Sequence, residues 1–499
     1  MKITLESPIN KYYVQTLGMI FFPGEHFGEK AEECDGAHVP SLFVRTEEVE
    51  NGVRAYAEAS FDGETKGSEY FAEYLPSRTT ERTLKLAVGG AVLAACGALT
   101  GYRPAWGMLI GVRPSKVASE MLNAGISKTR VKSLLTSDYL VIPKKAALAT
   151  NIALTEKKIV GEASTKDCSV YISIPFCPSR CTYCSFVSYT SKRLLDLIPQ
   201  YLERLKCDIK ANFDLIRRLG LRVRTVYIGG GTPTILDERQ LKDLLSYIAS
   251  QTDVSALDEF TLEAGRPDTI TEEKLTIAKA YGVTRVSVNP QTLCDELLSG
   301  VGRKHTVEEF YRAFDDARKA GIRTVNVDLI AGLPGDHFKT FSSTMDSVLS
   351  LKPENLTVHT FCVKKSAEIL RLNSHVYSAR GGDVGKCVDY SQIKAQQAGY
   401  IPYYMYRQKN TVGNYENVGF SMPGHEGLYN IYMMEEIHSI FSAGAGAVTK
   451  LVDPTQGVGH RKNIERLFHQ KYPFEYLRGD RFEAFAEETE RFYTEHGLL

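Results

Sequence analysis

The feature that most limits the fold of this chain is a regular alternation of strand-like and helix-like stretches between Cys168 and Thr360. Six short, apolar and largely β-branched runs predict buried strands. They are Val170–Ile174, Thr225–Ile228, Glu259–Glu263, Arg285–Asn289, Thr324–Asp328 and Asn355–Thr360. The amphipathic stretches between them predict helices at Leu194–Leu219, Asp237–Gln251, Glu272–Tyr281, Val307–Ala320 and Thr340–Leu349. Such repeats form parallel strands with right-handed crossovers, and six strands are too few for a closed eight-stranded barrel. We therefore expect an α/β fold with an open, partial (β/α)6 TIM-like barrel.

The residues with unusual chemistry follow these predicted strands. In barrels of this kind, functional residues gather at the carboxyl ends of the strands. In chain order, these ends carry Tyr171 with a cysteine loop, the run Gly229-Gly230-Gly231-Thr232, Glu263 with Arg266, Gln291 with Arg303, Asp328, and His359 with Cys362. Each group alone is weak, but together they predict one polar site on the rim that carries the cysteines.

The cysteine loop is the strongest sign of chemistry. Cys177, Cys181 and Cys184 have C-x3-C-x2-C spacing directly after the first barrel strand. Three thiolates at one centre suit a [4Fe–4S] cluster that leaves one iron without a protein ligand. A structural zinc site is the alternative, but it needs a fourth Cys or His, normally in a second closely spaced pair. The other cysteines are scattered singly, so we favour the cluster.

The other rim residues indicate what could bind beside the cysteines. The glycine run allows close backbone approach to a zwitterionic head group, with a plain turn as the alternative. Glu263 and Asp328 can bind an ammonium, a ribose hydroxyl or an imidazole, and Asp328 as a purely structural cap is the alternative. Buried carboxylates require partners, and we expect Arg266 or Arg303 to supply them. Arg303 also suits bidentate binding of a ligand carboxylate.

Composition limits the partners and the compartment. Lys plus Arg and Asp plus Glu both number 60, which argues against general attraction to nucleic acid or to an anionic membrane. The first residues lack the apolar core of a signal peptide, and the cysteines fit a reducing compartment. The apolar run Leu84–Leu99 contains Lys85 and is shorter than the ~20 residues that a span requires. We expect a buried or partner-facing helix there, no integral membrane contact, and a cytoplasmic protein.

Three ranges divide the chain. Residues 1–165 predict a small α+β domain with a helical second half and a role in substrate or partner binding. Its hairpin signal is the turn Glu50-Asn51-Gly52. Its Gly111–Lys116 turn could bind an anion, with a loop of solvated charges as the alternative. Residues 166–365 are the predicted barrel. Residues 366–499 form an extension that we expect to complete and cover it, with a helical stretch at Arg461–Arg481.

These motifs resemble a known family. The cysteine loop after a first strand, followed by Gly-Gly-Thr-Pro-Thr, resembles the radical S-adenosylmethionine (SAM) superfamily. The finer pattern is similar to the oxygen-independent coproporphyrinogen III oxidases and their heme-chaperone relatives, above all to the HemZ type. That pattern comprises Tyr171-Ile-Ser-Ile-Pro-Phe-Cys177, Glu263-Ala-Gly-Arg-Pro267, Tyr404-Met-Tyr-Arg-Gln-Lys-Asn410, Gly413-Asn-x-Glu-Asn-Val-Gly419 and Pro423-Gly-His-Glu-Gly427. The resemblance implies a barrel of the radical SAM type.

The resemblance also implies roles for individual residues. Cys177, Cys181 and Cys184 would ligate the [4Fe–4S] cluster. The positions that hold a first S-adenosyl-L-methionine match Tyr171, Gly230, Glu263 and Val448. The positions that contact a second molecule in the oxidase match Tyr183, Gly231, Thr232, Gln291, Arg303 and Asp328. The cofactors expected are therefore the cluster and one or two molecules of SAM. Basic residues that could hold propionates are Arg407, Lys409 and Lys365, with solvated loop charges as the alternative.

The implied activity is oxidative decarboxylation of coproporphyrinogen III propionates to vinyl groups, giving protoporphyrinogen IX in heme biosynthesis. The implied partners are a tetrapyrrole, such as coproporphyrinogen III, and an electron donor such as flavodoxin or ferredoxin. The sequence departs from the oxidase at Phe186, where the oxidase has a further cysteine. The alternatives are a heme-binding chaperone, for which His359, Cys362 and His425 are candidate heme ligands, and a radical SAM enzyme that acts on heme or another tetrapyrrole.

Overall fold

Two β-sheets organise the chain, and each belongs to its own compact unit. The computed structural model describes residues 1–23, 39–76, 78–111, 113–161, 164–362, 382–408, 411–455, 463–479 and 482–499. The N-terminal unit comprises Met1–Leu154, Ser374–Gly385 and Met405–Glu416. The barrel unit comprises Thr155–Asn373, Lys386–Tyr404 and Asn417–Leu499. Both units therefore combine segments that are far apart in the sequence.

The N-terminal unit is built on a four-stranded sheet. Its strands, in spatial as in chain order, are β1 (Lys2–Glu6), β2 (Ser41–Val49), β3 (Gly52–Phe61) and β4 (Glu64–Glu73). Strand β1 is parallel to β2, and the other pairs are antiparallel hairpins. The predicted hairpin at Asn51-Gly52 is confirmed. Strand β4 was not predicted because its sequence is almost entirely polar and its residues are mostly exposed.

Helices accompany this sheet, and the first two of them pack against its strands. They are α1 (Lys11–Phe21), α2 (Thr80–Thr100), α3 (Pro114–Asn123), α4 (Lys128–Ser137) and α5 (Pro143–Val160). By length and composition, α2 is the one helix of the described residues that could cross a membrane. Most of it is buried inside the protein, as expected for a core helix. Gly90 allows this packing, because a Cβ there would lie 2.3 Å from the ring of Tyr70.

A buried ion pair ties the late segment Met405–Glu416 into the N-terminal unit. Lys145 Nζ lies 2.5 Å from Glu416 Oε1, and neither side chain is exposed. The indole Nε1 of Trp106 donates to Glu416 Oε2 at 2.7 Å. Burial raises the pKa of Glu416, but the charge and hydrogen bond of Lys145 outweigh burial and hold the pKa below its ordinary value. Glu416 thus neutralises Lys145, a core lysine that lies 271 positions earlier in the chain.

The barrel unit contains an eleven-stranded sheet. Its strands are β5 (Asp167–Ile174), β6 (Arg222–Gly230), β7 (Glu259–Leu262), β8 (Arg285–Ser287), β9 (Thr324–Ala331), β10 (Asn355–Thr360), β11 (Ile401–Tyr406), β12 (Asn417–Ser421), β13 (Ser439–Ala443), β14 (Val448–Val452) and β15 (Ile464–Phe468). The spatial order is β11-β12-β10-β9-β8-β7-β6-β5-β13-β14-β15. Strands β5 to β10 are parallel, as the repeat predicts.

The C-terminal part of the chain extends both edges of this sheet. Strand β13 pairs in parallel with β5 and is a seventh parallel strand that was not predicted. Strands β14 and β15 continue in antiparallel fashion, and β12 is antiparallel to β10 at the other edge. The predicted helix at Arg461–Arg481 was wrong, because its described residues form β15 and the short helix Pro473–Arg478.

Helices accompany the parallel strands. They are α6 (Lys192–Leu195), α7 (Ile198–Arg218), α8 (Glu238–Gln251), α9 (Glu272–Ala280), α10 (Asp295–Gly300), α11 (Val307–Lys319), α12 (Phe338–Ser350), α13 (Gly382–Gln397), α14 (Leu428–Glu435), α15 (Pro473–Arg478) and α16 (Phe482–Glu495). Capping boxes begin α8 at Asp237 and α11 at Thr306. The expected α/β fold, with a partial (β/α)6 barrel and a small α+β unit before it, is confirmed.

The parallel strands separate polar from apolar side chains with a period of two. Tyr171, Tyr227 and Thr261 lie in register across β5, β6 and β7, so their side chains share one face. The alternate positions carry the apolar core, for example Val170, Val226 and Phe260. Side chains of successive strand residues point to opposite faces, and this pattern leaves one face of the sheet lined with groups that can bind a polar ligand.

Candidate functional site

The cysteine loop leaves the end of β5 and is fixed by backbone hydrogen bonds. Cys177 is buried, and Cys181 and Cys184 are half-buried. Cys177 N donates to Tyr189 O at 3.0 Å, and Tyr189 N donates to Pro175 O at 2.8 Å. Cys184 N donates to Cys181 O at 3.0 Å. The three thiols therefore lie on one short loop whose two ends are held together.

The surroundings of Cys177 and Cys184 favour the protonated form of these two thiols. Burial raises the pKa of Cys177 to about 11, although a hydrogen bond with Thr232 Oγ1, 3.3 Å from the sulfur, opposes the rise. Burial also raises the pKa of Cys184. Among the residues that the structure describes, no three His, Cys, Asp or Glu side chains converge closely enough to hold a single metal ion. Metal binding to this loop must release protons.

The predicted glycine loop packs backbone to backbone on the cysteine loop. Gly231 N donates to Ile174 O at 2.8 Å, and Thr232 N donates to Phe176 O at 2.7 Å. A Cβ on Gly231 would lie 2.5 Å from Phe176 O, so a side chain cannot be accommodated without a shift. Gly230 has a φ of +108°, a conformation that glycine adopts readily. The run is thus a structural support for the cysteine loop as well as a candidate ligand contact.

Glu263 lies beneath this glycine loop. Its Oε2 would be 2.7 Å from a Cβ placed on Gly229, so the absence of a side chain there makes room for the carboxyl group. Burial, with the charge of Asp328, raises the pKa of Glu263 to about 7, against opposing hydrogen bonds from Tyr227 and from the backbone of Gly230. Glu263 therefore changes protonation state close to neutral pH.

Asp328 is held ionised on β9. Its Oδ2 accepts from Asn289 Nδ2 at 2.8 Å, and its Oδ1 accepts from Asn326 Nδ2 at 2.8 Å. His359 Nε2 lies 3.6 Å from Oδ2. Burial raises the pKa of Asp328, but the hydrogen bonds and the charge of His359 together lower it below its ordinary value. Two neighbouring carboxyl groups thus differ in protonation at neutral pH, which is common where acid and base roles are divided.

The expectation that arginines pair with these two carboxylates was wrong. Arg266 instead makes two hydrogen bonds to Asp268, at 3.0 and 2.9 Å, and donates to Ser179 Oγ in the cysteine loop at 3.0 Å. The charge of Arg266 is therefore neutralised by its own turn. Its function in this structure is to attach that turn to the cysteine loop.

Arg303 is a buried cation whose hydrogen-bond partners are all neutral. Its Nη2 donates to the carbonyls of Gly265, at 2.8 Å, and Asn289, at 3.0 Å. Its Nη1 donates to the hydroxyl of Tyr183 at 3.2 Å. Within the part of the chain that the structure describes, no carboxylate forms an ion pair with Arg303, and a buried guanidinium of this kind is poised to accept an anionic group. Tyr183, which lies between two of the cysteines in the sequence, is therefore in direct contact with Arg303.

Gln291 has the least relaxed backbone in the site. Its φ is +70°, which is uncommon for a residue other than glycine. Its amide N donates to Asp328 O at 3.1 Å, and Ile330 N donates to Gln291 O at 2.9 Å. Its buried side-chain Oε1 has no hydrogen-bond partner among the described residues. Backbone strain and an unsatisfied polar atom occurring together are typical of a ligand-binding position.

Tyr171 belongs to a stack of three tyrosines. Its ring centroid lies 6.0 Å from that of Tyr227 and 6.2 Å from that of Tyr429, and the latter two are 4.6 Å apart. Tyr429 is in the first turn of α14, whose N-terminus is held by Glu259. The carboxylate of Glu259 accepts from Leu428 N at 2.8 Å and from Tyr429 N at 3.2 Å. Sequence reasoning missed Tyr227, which strand alternation could have indicated, and Tyr429, for which no local pattern exists.

Comparison with known proteins agrees with this arrangement. Residues 171–348 match the model of the radical SAM superfamily. The chain is 35% identical, over 93% of its length and 92% of the relative's, to the "oxygen-independent coproporphyrinogen-III oxidase-like protein HemZ" of Bacillus subtilis. It is 32% identical to the heme chaperone HemW of that species, over 56% of this chain and 70% of that one. The chain belongs to the oxygen-independent coproporphyrinogen III oxidase family.

Among solved structures, the chain is similar to coproporphyrinogen III oxidase (HemN) of Escherichia coli. The TM-score is 0.49 and the identity 20%, over 67% of this chain and 73% of that one. As a radical SAM protein, the chain uses a [4Fe–4S] cluster and SAM. The donor set of the cysteine loop fits the cluster, because three sulfurs on one fixed loop leave an iron open. Among the described residues, Gln291 Oε1 has no hydrogen-bond partner and Arg303 has no carboxylate partner, and both fit a polar, partly anionic ligand beside the cluster.

Val448 lies at the same end of the sheet as the cysteine loop but two strands away from β5. It begins β14, and its carbonyl accepts from the hydroxyl of Ser442, which is paired with Tyr171, at 2.8 Å. The loop before it does reach the rim, since a Cβ on Gly444 would lie 2.6 Å from Ser173 O. His425 lies at the other end of the strands. Its Nδ1 is 2.8 Å from the hydroxyl of Thr324, the first residue of β9. His425 is therefore not a heme ligand candidate at the strand ends.

Of the three basic residues predicted to hold propionates, the structure describes only one. Lys365 and Lys409 lie outside the described residues. Arg407 is buried in the N-terminal unit, where it donates to Leu109 O and to Asn414 Oδ1. Burial lowers the pKa of Arg407 to about 10, partly offset by Glu416. Arg407 therefore stabilises this unit and is not a solvated loop charge.

Proposed function

We propose that the protein catalyses the oxygen-independent oxidative decarboxylation of coproporphyrinogen III, giving protoporphyrinogen IX for heme biosynthesis in the cytoplasm. The observation that carries the proposal is the convergence of the cysteine loop, Glu263, Asp328 and Arg303 at one end of the parallel strands. The substrate is supported by the near full-length similarity to the HemZ protein.

Under this proposal, each rim residue has a defined role. Cys177, Cys181 and Cys184 ligate the cluster. A first SAM is held by Tyr171, Gly230, Glu263 and Val448. A second SAM contacts Tyr183, Gly231, Thr232, Gln291, Arg303 and Asp328. The stacked tyrosines place their rings beside Glu263, and the ionised Asp328 and cationic Arg303 provide opposite charges in the same site.

The bound cofactors supply a 5′-deoxyadenosyl radical. The chain's task is to place one propionate β-carbon beside it. A hydrogen atom would pass from that β-carbon to the radical and give 5′-deoxyadenosine. Loss of carbon dioxide and of one electron to an external one-electron acceptor would then leave a vinyl group. Two such rounds complete the conversion. We assign no residue of the chain as an acid, base or nucleophile, since the reacting group of the substrate is carbon-centred throughout.

The second candidate is a heme chaperone. It is favoured by the similarity to HemW and by Phe186, which is 66% exposed immediately after the cysteine loop. An exposed aromatic ring suits the face of a flat macrocycle. A radical SAM reaction on heme or another tetrapyrrole is a variant of the first candidate, with the same cofactor residues.

One experiment separates these candidates. The reconstituted protein is incubated anaerobically with dithionite, SAM and coproporphyrinogen III, with Cys181→Ala as the matched control. We expect 5′-deoxyadenosine and vinyl products from the parent and neither from the variant, which should also lose the visible absorption of the cluster. Absence of both products from the parent would refute the oxidase assignment. Stoichiometric heme binding by that same protein would then favour the chaperone.

A further inference from the structure

A surface of exposed aromatic and cationic side chains lies at the outer side of the cysteine loop. The ring of Tyr189, just after the loop, lies 6.1 Å from that of Tyr472, which is 59% exposed. The hydroxyl of Tyr189 donates to Lys471 O at 3.1 Å. We call the region around these three residues the Tyr189 surface. It joins the cysteine loop to the segment between β15 and α15.

This surface is one hydrogen bond away from a cluster ligand. The carbonyl of Tyr189 accepts from Cys177 N at 3.0 Å. The other side of the loop faces the cofactor residues. There the hydroxyl of Tyr183 accepts from Arg303, and the ring centroid of Tyr183 lies 6.2 Å from that of Phe361. An electron that arrives through the Tyr189 surface therefore reaches the cysteine loop without crossing the side on which the cofactor residues lie.

The charge of this surface is positive although the chain as a whole is neutral. The segments that meet at this surface carry four exposed cations, namely Arg180, Lys192, Arg193 and Lys471. Arg193 is 5.2 Å from the ring centre of Phe474, and no described carboxylate forms an ion pair with any of the four. Two exposed acids, Asp196 and Glu475, lie in the same segments and leave a net positive charge. An apolar centre with a charged rim is typical of transient protein interfaces.

We propose that the Tyr189 surface docks an acidic one-electron carrier protein that reduces the cluster. The proposal rests on the cluster ligands named under the proposed function but not on the identity of the substrate. In the step itself, one electron leaves the reduced carrier and enters the oxidised cluster, and no bond is made or broken. Complementary charge raises the association rate of such pairs by about 10- to 1,000-fold and makes it depend on salt.

The test reverses two charges that take part in no ion pair among the described residues. Lys192→Glu/Lys471→Glu alters the Tyr189 surface, and Arg239→Glu/Lys242→Glu alters two exposed cations of α8 as a matched control. Oxidised flavodoxin serves as the binding probe, by calorimetry at low salt. Photoreduced flavodoxin serves as the electron donor, followed by bleaching of the cluster absorption in a stopped-flow instrument.

We expect the Lys192/Lys471 variant to bind flavodoxin about tenfold more weakly and to be reduced about tenfold more slowly. The control should match the parent, and dithionite should bleach all three proteins equally. Salt should slow the parent but not the Lys192/Lys471 variant. Equal flavodoxin affinity and reduction rate in the variant and the parent would overturn the docking proposal. Normal docking without turnover of coproporphyrinogen III would instead count against the proposed function alone.

Discussion

Replacing Glu263 by glutamine is expected to stabilise the barrel unit of the SAM-free protein in a pH-dependent way. The pKa of Glu263 is about 7 in the folded chain against an ordinary value of 4.5. Each unit of pKa corresponds to about 1.4 kcal/mol. Ionised Glu263 therefore lowers the free energy of unfolding by about 3 kcal/mol, as an upper value for a half-buried carboxyl group.

The sign follows from proton binding. Between pH 4.5 and about 7, the folded state holds a proton that the unfolded state has lost, so the parent becomes less stable as pH rises. Glutamine cannot ionise, and the Glu263→Gln variant escapes this loss. The difference in unfolding free energy should be below about 1 kcal/mol at pH 5 and should rise to at most about 3 kcal/mol at pH 8. Urea titrations at pH 5, 6, 7 and 8, followed by far-ultraviolet circular dichroism, measure it.

An internal control is available because the chain has one tryptophan, Trp106, and it lies in the N-terminal unit. Its fluorescence follows unfolding of the N-terminal unit and so distinguishes a change in that unit from a change in the barrel unit. A difference that is constant across pH, or a variant that is less stable at pH 8, would refute the reasoning. Asp328→Asn should behave oppositely and destabilise the barrel unit at pH 8, because the pKa of Asp328 is lowered by bonds to its ionised form.

The protonation state of Glu263 should also control the affinity of the protein for SAM. If ionised Glu263 holds SAM, the ionised fraction rises about tenfold between pH 6 and pH 8, and the affinity for SAM should rise with it. Calorimetric titration of the cluster-loaded parent should show this increase, and Glu263→Gln should show weak, pH-independent binding. Equal affinity at both pH values in the parent would contradict this role for Glu263.

Two further changes test the supports of the site and of the N-terminal unit. Glu416→Gln removes the counter-charge of the fully buried Lys145 and should destabilise the N-terminal unit by about 3–5 kcal/mol. Tryptophan fluorescence in urea measures this loss of stability. A loss below about 1 kcal/mol would contradict the assigned ion pair. Gly231→Ala should lower the iron content per chain, because its Cβ would lie 2.5 Å from Phe176 O beside the first cysteine. Gly265→Ala, whose nearest neighbour would be 3.5 Å away, should retain iron, and equal iron in both variants would contradict the close packing.

The strands and their ends could be predicted from the sequence because their signals are local. Each parallel strand is a short apolar or alternating run followed by a polar turn, and the parallel topology places all those turns at one edge. Glu263, Asp328 and Arg303 were therefore placed on the same rim without a structure. The hydrogen-bond partners of these residues could not be predicted. Neutral amides and carbonyls bind Asp328 and Arg303, and such partners leave no pattern of opposite charge in the sequence.

Features built by distant segments could not be predicted. Tyr429 reaches the tyrosine stack from a helix that is held by Glu259, 170 positions earlier. Strand β13 lies beside β5 although the two are almost 270 residues apart. Neither segment differs in local composition from an ordinary amphipathic element, so only the tertiary structure reveals its place. Strand β4 was missed for a different reason, since an exposed edge strand needs little apolar alternation.

The pairing of β13 with β5 has a consequence for biosynthesis. All three cysteines leave the ribosome early, but the strand that carries them keeps an open edge until Ser439–Ala443 has been translated. The N-terminal unit also requires its late segment, because the buried ion pair of Lys145 with Glu416 forms only after Glu416 has been translated. Both units therefore finish folding only when most of the chain has been synthesised. The strand that carries the cysteine loop therefore has both of its parallel neighbours only in a nearly full-length polypeptide, and in a shorter nascent chain the loop would depend on its own local hydrogen bonds.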